Sequence, residues 1–243
     1  MNDFKDIGVI VVGGTRNIGL AIAETYINFG AKVFIVGGYS EDNLNRALSH
    51  LKALSNKIEG CIADMSDDKN VQMVFKSFEQ KYNCNPQILI NGQGYRPHKK
   101  FLEINSEEFN EVMKRNVLGM FLASQEFFRR CDTTGSIVNL GGLSAHKPAK
   151  DRAHVISSKA AIIGLTKALA EEGRNKIKVN CIVPGVIETE RSIDQPQASF
   201  KDEHNFIKGD TSAISQAVIS ISDLSNIYLT GQTLHVNGGR WMP

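Results

Sequence analysis

Several features that would tie a chain to metal, export or membrane chemistry are missing from this sequence. Its four cysteines, Cys61, Cys84, Cys131 and Cys181, are widely scattered and form no C-x-x-C pair of the kind that holds zinc or cycles as a dithiol. They read as small apolar or surface residues kept reduced, which points to a cytoplasmic protein. No uninterrupted apolar run approaches the roughly 20 residues of a membrane-spanning helix, so no membrane partner is expected. The opening MNDFKDIGVIVVGG has no basic region ahead of a cleavable apolar segment, and no signal peptide is expected. Charge of one sign is missing too: the formal net charge is only +2, which argues against nucleic acid as a partner. The basic pairs Lys99-Lys100 and Arg129-Arg130 read as solvated surface. There is no internal repeat and no low-complexity segment.

What the chain does have is a regular alternation. The runs GVIVV (8–12), KVFIV (32–36), KIEGCI (57–62), QILIN (87–91), SIVNL (136–140), IKVNCIV (177–183) and TLHVN (233–237) are β-branched and apolar on both faces, as buried parallel strands must be. Helical patterns at 18–29, 41–55, 67–82, 106–130 and 152–173 separate them, and a last helix precedes the final strand. The entries Ser40-Glu41-Asp42 and Asn105-Ser106-Glu107-Glu108 put polar and acidic groups where free amides need caps. Such alternation implies right-handed crossovers and an α/β, doubly wound sheet of seven parallel strands with helices on both faces. With 243 residues and 42% hydrophobic content, a single domain over 1–243 is expected. The polar stretch 189–211 breaks the rhythm and is expected to form a substrate loop or lid, the alternative being a plain surface excursion.

The first strand runs straight into GGTRNIG (13–19) and then a helix. Glycines there let backbone amides approach a pyrophosphate, and the helix N-terminus adds partial positive charge. Asn17 stands where a third glycine is expected, and asparagine tolerates a positive φ.

The chain resembles the short-chain dehydrogenase/reductase family over nearly its whole length. The resemblance rests on VVGGTRNIGLAIA at the first turn, ADMSD (63–67), NGQG (91–94), RNVLGMF (115–121), SKAAIIGLTKALAEE (158–172), VNCIVPGVIET (179–189) and LTGQTLHVNGG (229–239). It implies a Rossmann-type fold and a nicotinamide dinucleotide cofactor. By position, Gly13, Thr15, Arg16, Asn17, Ile18 and Gly19 would surround the pyrophosphate, and Asp64 and Met65 would meet the adenine. Asn91 and Gly92 would line the sheet edge, and Lys159 would hold the nicotinamide ribose. Pro184, Gly185, Ile187 and Thr189 would contact the nicotinamide amide and phosphates. Strand two ends Gly37-Gly38-Tyr39-Ser40, with no acid to bind a ribose 2′-hydroxyl and repel a 2′-phosphate. Arg16 is suited to pair a 2′-phosphate, and with Tyr39 and Ser40 nearby NADP(H) is expected in preference to NAD(H).

In the resembling family a Ser, a Tyr, a Lys and an Asn cooperate in proton transfer. Here Asn116 and Lys159 remain, but the tyrosine position holds Val155 and the serine position, thirteen residues earlier, holds Gly142. Valine neither donates nor accepts a proton. Tyr95, His98, Ser144, His146 and His154 are the available replacements, Tyr95 and His146 ahead of the others; His154 adjoins Val155 but points about 100° away on a helix. Three readings stay open: an NADP(H)-linked oxidoreductase for a small carbonyl, imine or conjugated substrate; a non-redox dehydratase- or cyclase-like enzyme in the same pocket; or a non-catalytic cofactor-binding subunit. Segment 106–130, with Phe109, Val112, Met113, Met120, Phe121 and Phe127, and the apolar segment 155–170 imply, through the family, a homodimer or homotetramer.

Overall fold

A computed structural model describes residues 4–189 and 208–243. Strands β1 (Gly8–Val12), β2 (Lys32–Gly37), β3 (Ile58–Ile62), β4 (Ile88–Asn91), β5 (Gly135–Leu140), β6 (Ile177–Pro184) and β7 (Thr233–Val236) form one sheet in the order β3-β2-β1-β4-β5-β6-β7. Every pairing is parallel. The helices are α1 (Asn17–Asn28), α2 (Glu41–Lys52), α3 (Asp68–Tyr82), α4 (Ser106–Met113), α5 (Gly119–Arg130), α6 (Ala153–Glu172) and α7 (Thr211–Ser222).

Alternate strand residues explain why the strands carry apolar residues on both faces. Val9, Val11, Val33 and Ile35 face one core, packed with Ile22 and Tyr26 of α1, Leu44 and Leu51 of α2, and Ile214 and Val218 of α7. Ile10, Val12, Phe34 and Val36 face the other, packed with Phe75 and Phe78 of α3, Phe127 of α5 and Leu169 of α6. The sheet is thus covered on both sides, as expected for a doubly wound fold. Each fully buried apolar side chain contributes about 1.5–3 kcal/mol, so the two layers dominate stability. The helix entries also form as expected: Ser40 accepts from the Asn43 amide, and Asn105 and Glu108 complete a capping box.

The helix expected over 106–130 is not uniform. Between α4 and α5 the chain widens into a π turn, Lys114–Leu118, closed by the Gly119 amide on the Lys114 carbonyl. Apolar periodicity registers a helix but is blind to one extra residue per turn. The wide turn holds Asn116, a placement typical of functional sites. The core of the stretch 189–211 lies outside the described residues. Its neck does not: Ile187 pairs with Gly209, and the Glu188 amide donates to the Gly209 carbonyl at 2.9 Å. Among the described residues no helix is long and apolar enough to cross a membrane.

Candidate functional site

The winding of the sheet reverses between β1 and β4, and the crevice beyond their C-terminal ends is where open α/β sheets bind ligands. Gly13 leaves β1 with φ of +76°, and a Cβ there would press on the Gly92 carbonyl at 2.9 Å. The two strand ends therefore touch. Asn17 adopts φ of +51°, the left-handed conformation expected of it. A Cβ on Gly19 would stand 2.0 Å from the Gly13 carbonyl oxygen, so only glycine closes this turn. Arg16 occupies the N-cap of α1 without capping it, and its exposed side chain makes no hydrogen bond or ion pair with any described residue. The N-cap side chain thus supplies no capping oxygen to the first amides of α1, the arrangement in which a helix N-terminus can take an anion. Half-buried Ile18 packs against the α1-side core. Thr15 sits against the end of β2, where a Cβ on Gly37 would meet its methyl at 2.9 Å.

Tyr39, 65% exposed, lies beyond the end of β2. Its ring is 4.9 Å from the Arg115 guanidinium, which also lies 4.6 Å from the Tyr95 ring and is ion-paired with Glu111. Ser40 spends an oxygen lone pair on capping α2 and keeps its proton for another acceptor. After β3, Asp64 accepts from the Ser66 amide at 3.0 Å and hydroxyl at 2.6 Å. Partial burial works to raise the Asp64 carboxyl, but these bonds and the charges of Lys114 and Arg115 hold it below the usual carboxylate range. Met65 is buried beside it. Asn91, fully buried, donates to Asn139 at 2.9 Å and Ser124 at 3.2 Å, tying β4 to β5 and α5, while its side-chain oxygen has no partner among the described residues. The Gly92 amide donates to the Val12 carbonyl at 2.9 Å.

At the other end Asn116 is fully committed. Its carbonyl accepts from the Tyr95 amide at 2.6 Å, and its amide donates to the Tyr95 carbonyl and to Ser158, each at 2.9 Å. Ser158, which the sequence reading passed over, donates in turn to the Val155 carbonyl at 2.7 Å. Asn116 is thus a clamp between the loop after β4 and α6. Lys159 is 5% exposed, and its ammonium donates to the Leu140 carbonyl at 3.1 Å. Burial, aided by the Arg96 charge, pushes it down to about 8. Its aliphatic stem lies 3.3–3.5 Å from where a Cβ on Gly142 would stand, so the stem fills the space beside that glycine. Val155 is buried at 1% exposure.

The remaining proton carriers are scattered. Tyr95 is 37% exposed at the mouth of the crevice. His146 stacks 4.3 Å from Trp241 and edge-on 4.5 Å from His235, so the C-terminal residues fold back onto the loop after β5. Burial lowers the pKa of His146 and of His235, the latter also through the neighbouring His146. Ser144 lies in the short 3-10 turn Leu143–Ala145, half-buried. Burial likewise lowers the pKa of His154, which is enclosed within α6. The structure brings Lys159, Asn116 and Tyr95 together around one loop, while His146 belongs to the C-terminal ring cluster. β6 ends at Pro184, Gly185 donates to the Val236 carbonyl at 2.9 Å, and Ile187 and Thr189 lead into the neck described above. The sequence reading also passed over Gln93 and Arg115, whose signal was a long polar side chain set among small residues in NGQG and just before Asn116.

Comparison with known proteins agrees with this geometry. The family model for short chain dehydrogenase matches residues 8–199. The 3-oxoacyl-[acyl-carrier-protein] reductase FabG of Escherichia coli strain K12 is 30% identical over 247 residues, covering 99% of each chain. The protein of the same name from Aquifex aeolicus is 30% identical over 95% of each. A double variant of a Serratia marcescens short-chain dehydrogenase/reductase superposes with a TM-score of 0.89 at 27% identity, covering 98% of each chain. A nucleotide-type turn at the switch point, with a buried lysine and a clamped asparagine beyond it, is thus built on a chain that belongs to the short-chain dehydrogenase family.

Proposed function

We propose that this protein is an NADP(H)-linked oxidoreductase that reduces a small carbonyl, imine or conjugated substrate without the family's tyrosine and serine. The observation that carries the reading is the intact turn from Gly13 to Gly19, closed as only glycine allows, opposite a buried Lys159. These residues fit a dinucleotide: uncapped amides of α1 for the pyrophosphate, Asp64 and Met65 for the base, Lys159 for the ribose, and Pro184, Gly185, Ile187 and Thr189 beyond β6. The preference for a 2′-phosphate rests on Arg16, exposed and without a described partner, together with the absence of an acid at the end of β2 and the unspent hydroxyl proton of Ser40.

When bound, the nicotinamide supplies or accepts hydride. The chain must supply position and protons. Val155 and Gly142 offer no hydroxyl. Lys159 is the best-placed proton carrier, because its ammonium loses its proton at about 8 and so exchanges near neutral pH. Asn116 positions Tyr95 and α6. Tyr95 at the mouth is the next candidate, and His146 follows it because ring packing already occupies it. Weak acid assistance favours acceptors such as imines or conjugated systems over plain ketones. We also propose a homodimer or homotetramer. The test of activity is the reduced-nicotinamide absorbance in the presence of imine, conjugated and ketone panels. Loss of absorbance with the first two, faster than with ketones, is expected. Product formed with no cofactor oxidised would replace this reading with the dehydratase- or cyclase-like one.

A further inference from the structure

Gln93 carries a conspicuous unmet need. Both its side-chain Oε1 and Nε2 are buried, and neither has a hydrogen-bond partner among the described residues. Buried amides are rarely left this way without a reason, because each unpaired group keeps its desolvation cost. The residue stands in the crevice itself. Its backbone nitrogen is 3.0 Å from where a Cβ on Gly13 would be, directly against the nucleotide turn. Its Nε2 reaches to 3.2 Å from a Cβ built on Gly119, and the Met65 carbonyl lies 3.4 Å from the same point. The amide therefore occupies the gap between the end of β3 and the start of α5, beside Asp64 and Met65. It fits there because residue 119 has no side chain.

We propose that Gln93 reads the adenine base of the bound dinucleotide. This assignment rests on the dinucleotide reading above. A glutamine amide presents one acceptor and one donor side by side, the complement of adenine's N6–H and N7. Adenine N6 carries two hydrogens, so one can go to Asp64 while the other goes to Gln93 Oε1, with Nε2–H donating to N7. Hypoxanthine presents two acceptors on that edge, O6 and N7, and satisfies only half of the amide, while its N1–H can still donate to Asp64, so the difference between the two bases falls on Gln93.

The test titrates the full chain with NADPH and with reduced nicotinamide hypoxanthine dinucleotide phosphate, followed by nucleotide fluorescence. The wild type is expected to bind the adenine form roughly tenfold more tightly, the scale of one bidentate pair. Gln93→Leu is expected to weaken the adenine form to the level of the other while leaving the hypoxanthine form nearly unchanged, and its melting temperature without nucleotide should not fall. Gln93→Glu, of the same shape, keeps the acceptor for adenine N6–H and offers hypoxanthine no donor, so it is expected to keep or widen the preference. Equal binding of both forms by the wild type, a preference that survives in Gln93→Leu, or one that vanishes in Gln93→Glu, would overturn the assignment alone. So would a melting temperature that falls in Gln93→Leu with both forms weakened alike, which marks a packing role. If the wild type binds neither form, the dinucleotide reading fails and the assignment goes with it.

Discussion

A buried ammonium is costly unless its charge is answered, and among the described residues Lys159 has one hydrogen-bond acceptor, the Leu140 carbonyl. The cost has a pH signature. The group titrates near 10.5 in a solvated chain and near 8 when folded. Between those values the unfolded chain holds the proton and the folded chain does not, so stability rises with pH across that window, and below it the cost is fully present. A depression of this size corresponds to about 3 kcal/mol. Urea unfolding without added nucleotide, compared for wild type and Lys159→Met from pH 7 to 10.5, isolates this group because the other titrations cancel in the difference. The wild type is expected to gain up to about 3 kcal/mol on the variant as pH rises; a flat difference would show that the lysine is not desolvated. The same packing bears on the neighbouring glycine, since a side chain at Gly142 must push the lysine stem aside.

Elements that bury both faces were the easiest to read. Strands such as GVIVV are apolar on both faces because α1, α2 and α7 cover one side of the sheet and α3, α5 and α6 the other. The π turn at Lys114–Leu118 was hidden inside a continuous helical pattern, and with it the reason Asn116 reaches Tyr95. His146 was singled out from its place after β5, whereas its ring partners, His235 and Trp241, are far away in sequence and no local pattern announces them. Gln93 was invisible for a similar reason, since its gap depends on Gly119 and Met65 arriving from other elements. Some element faces remain uncovered. Phe109 of α4, Leu118 of the π turn and Phe121 of α5 are 38–40% exposed. On α6 the exposed strip runs Ala160, Gly164, Ala168, with nothing within 4 Å of a Cβ at Gly164. Small residues at helical spacing admit a close neighbour, and the homo-oligomer proposed above would cover both faces. Sedimentation velocity is expected to give a multiple of the 26.8 kDa chain mass, and Phe121→Asp to shift it toward the monomer. A wild type that stays at the monomer mass across micromolar concentrations would remove the proposal.

At the scale of the whole molecule, sheet order decides where everything sits. Because β1 and β4 lie side by side and the strand order proceeds outward from them in opposite directions, the Gly13 turn, the Gly92–Gln93 loop and the ends of β2 and β3 meet at one crevice. Short motifs that lie far apart in the chain, such as the Gly13 turn and the Gly92–Gln93 loop, thus come into contact at one place. The account depends on that crevice holding a phosphorylated dinucleotide. Its most direct test is fluorescence titration of the purified chain with NADPH and NADH. Saturable binding is expected, at least roughly tenfold tighter for NADPH, with the preference lost in Arg16→Ala, on the scale of one charge-assisted hydrogen bond. Failure of both nucleotides to saturate the protein at millimolar concentration would contradict the account.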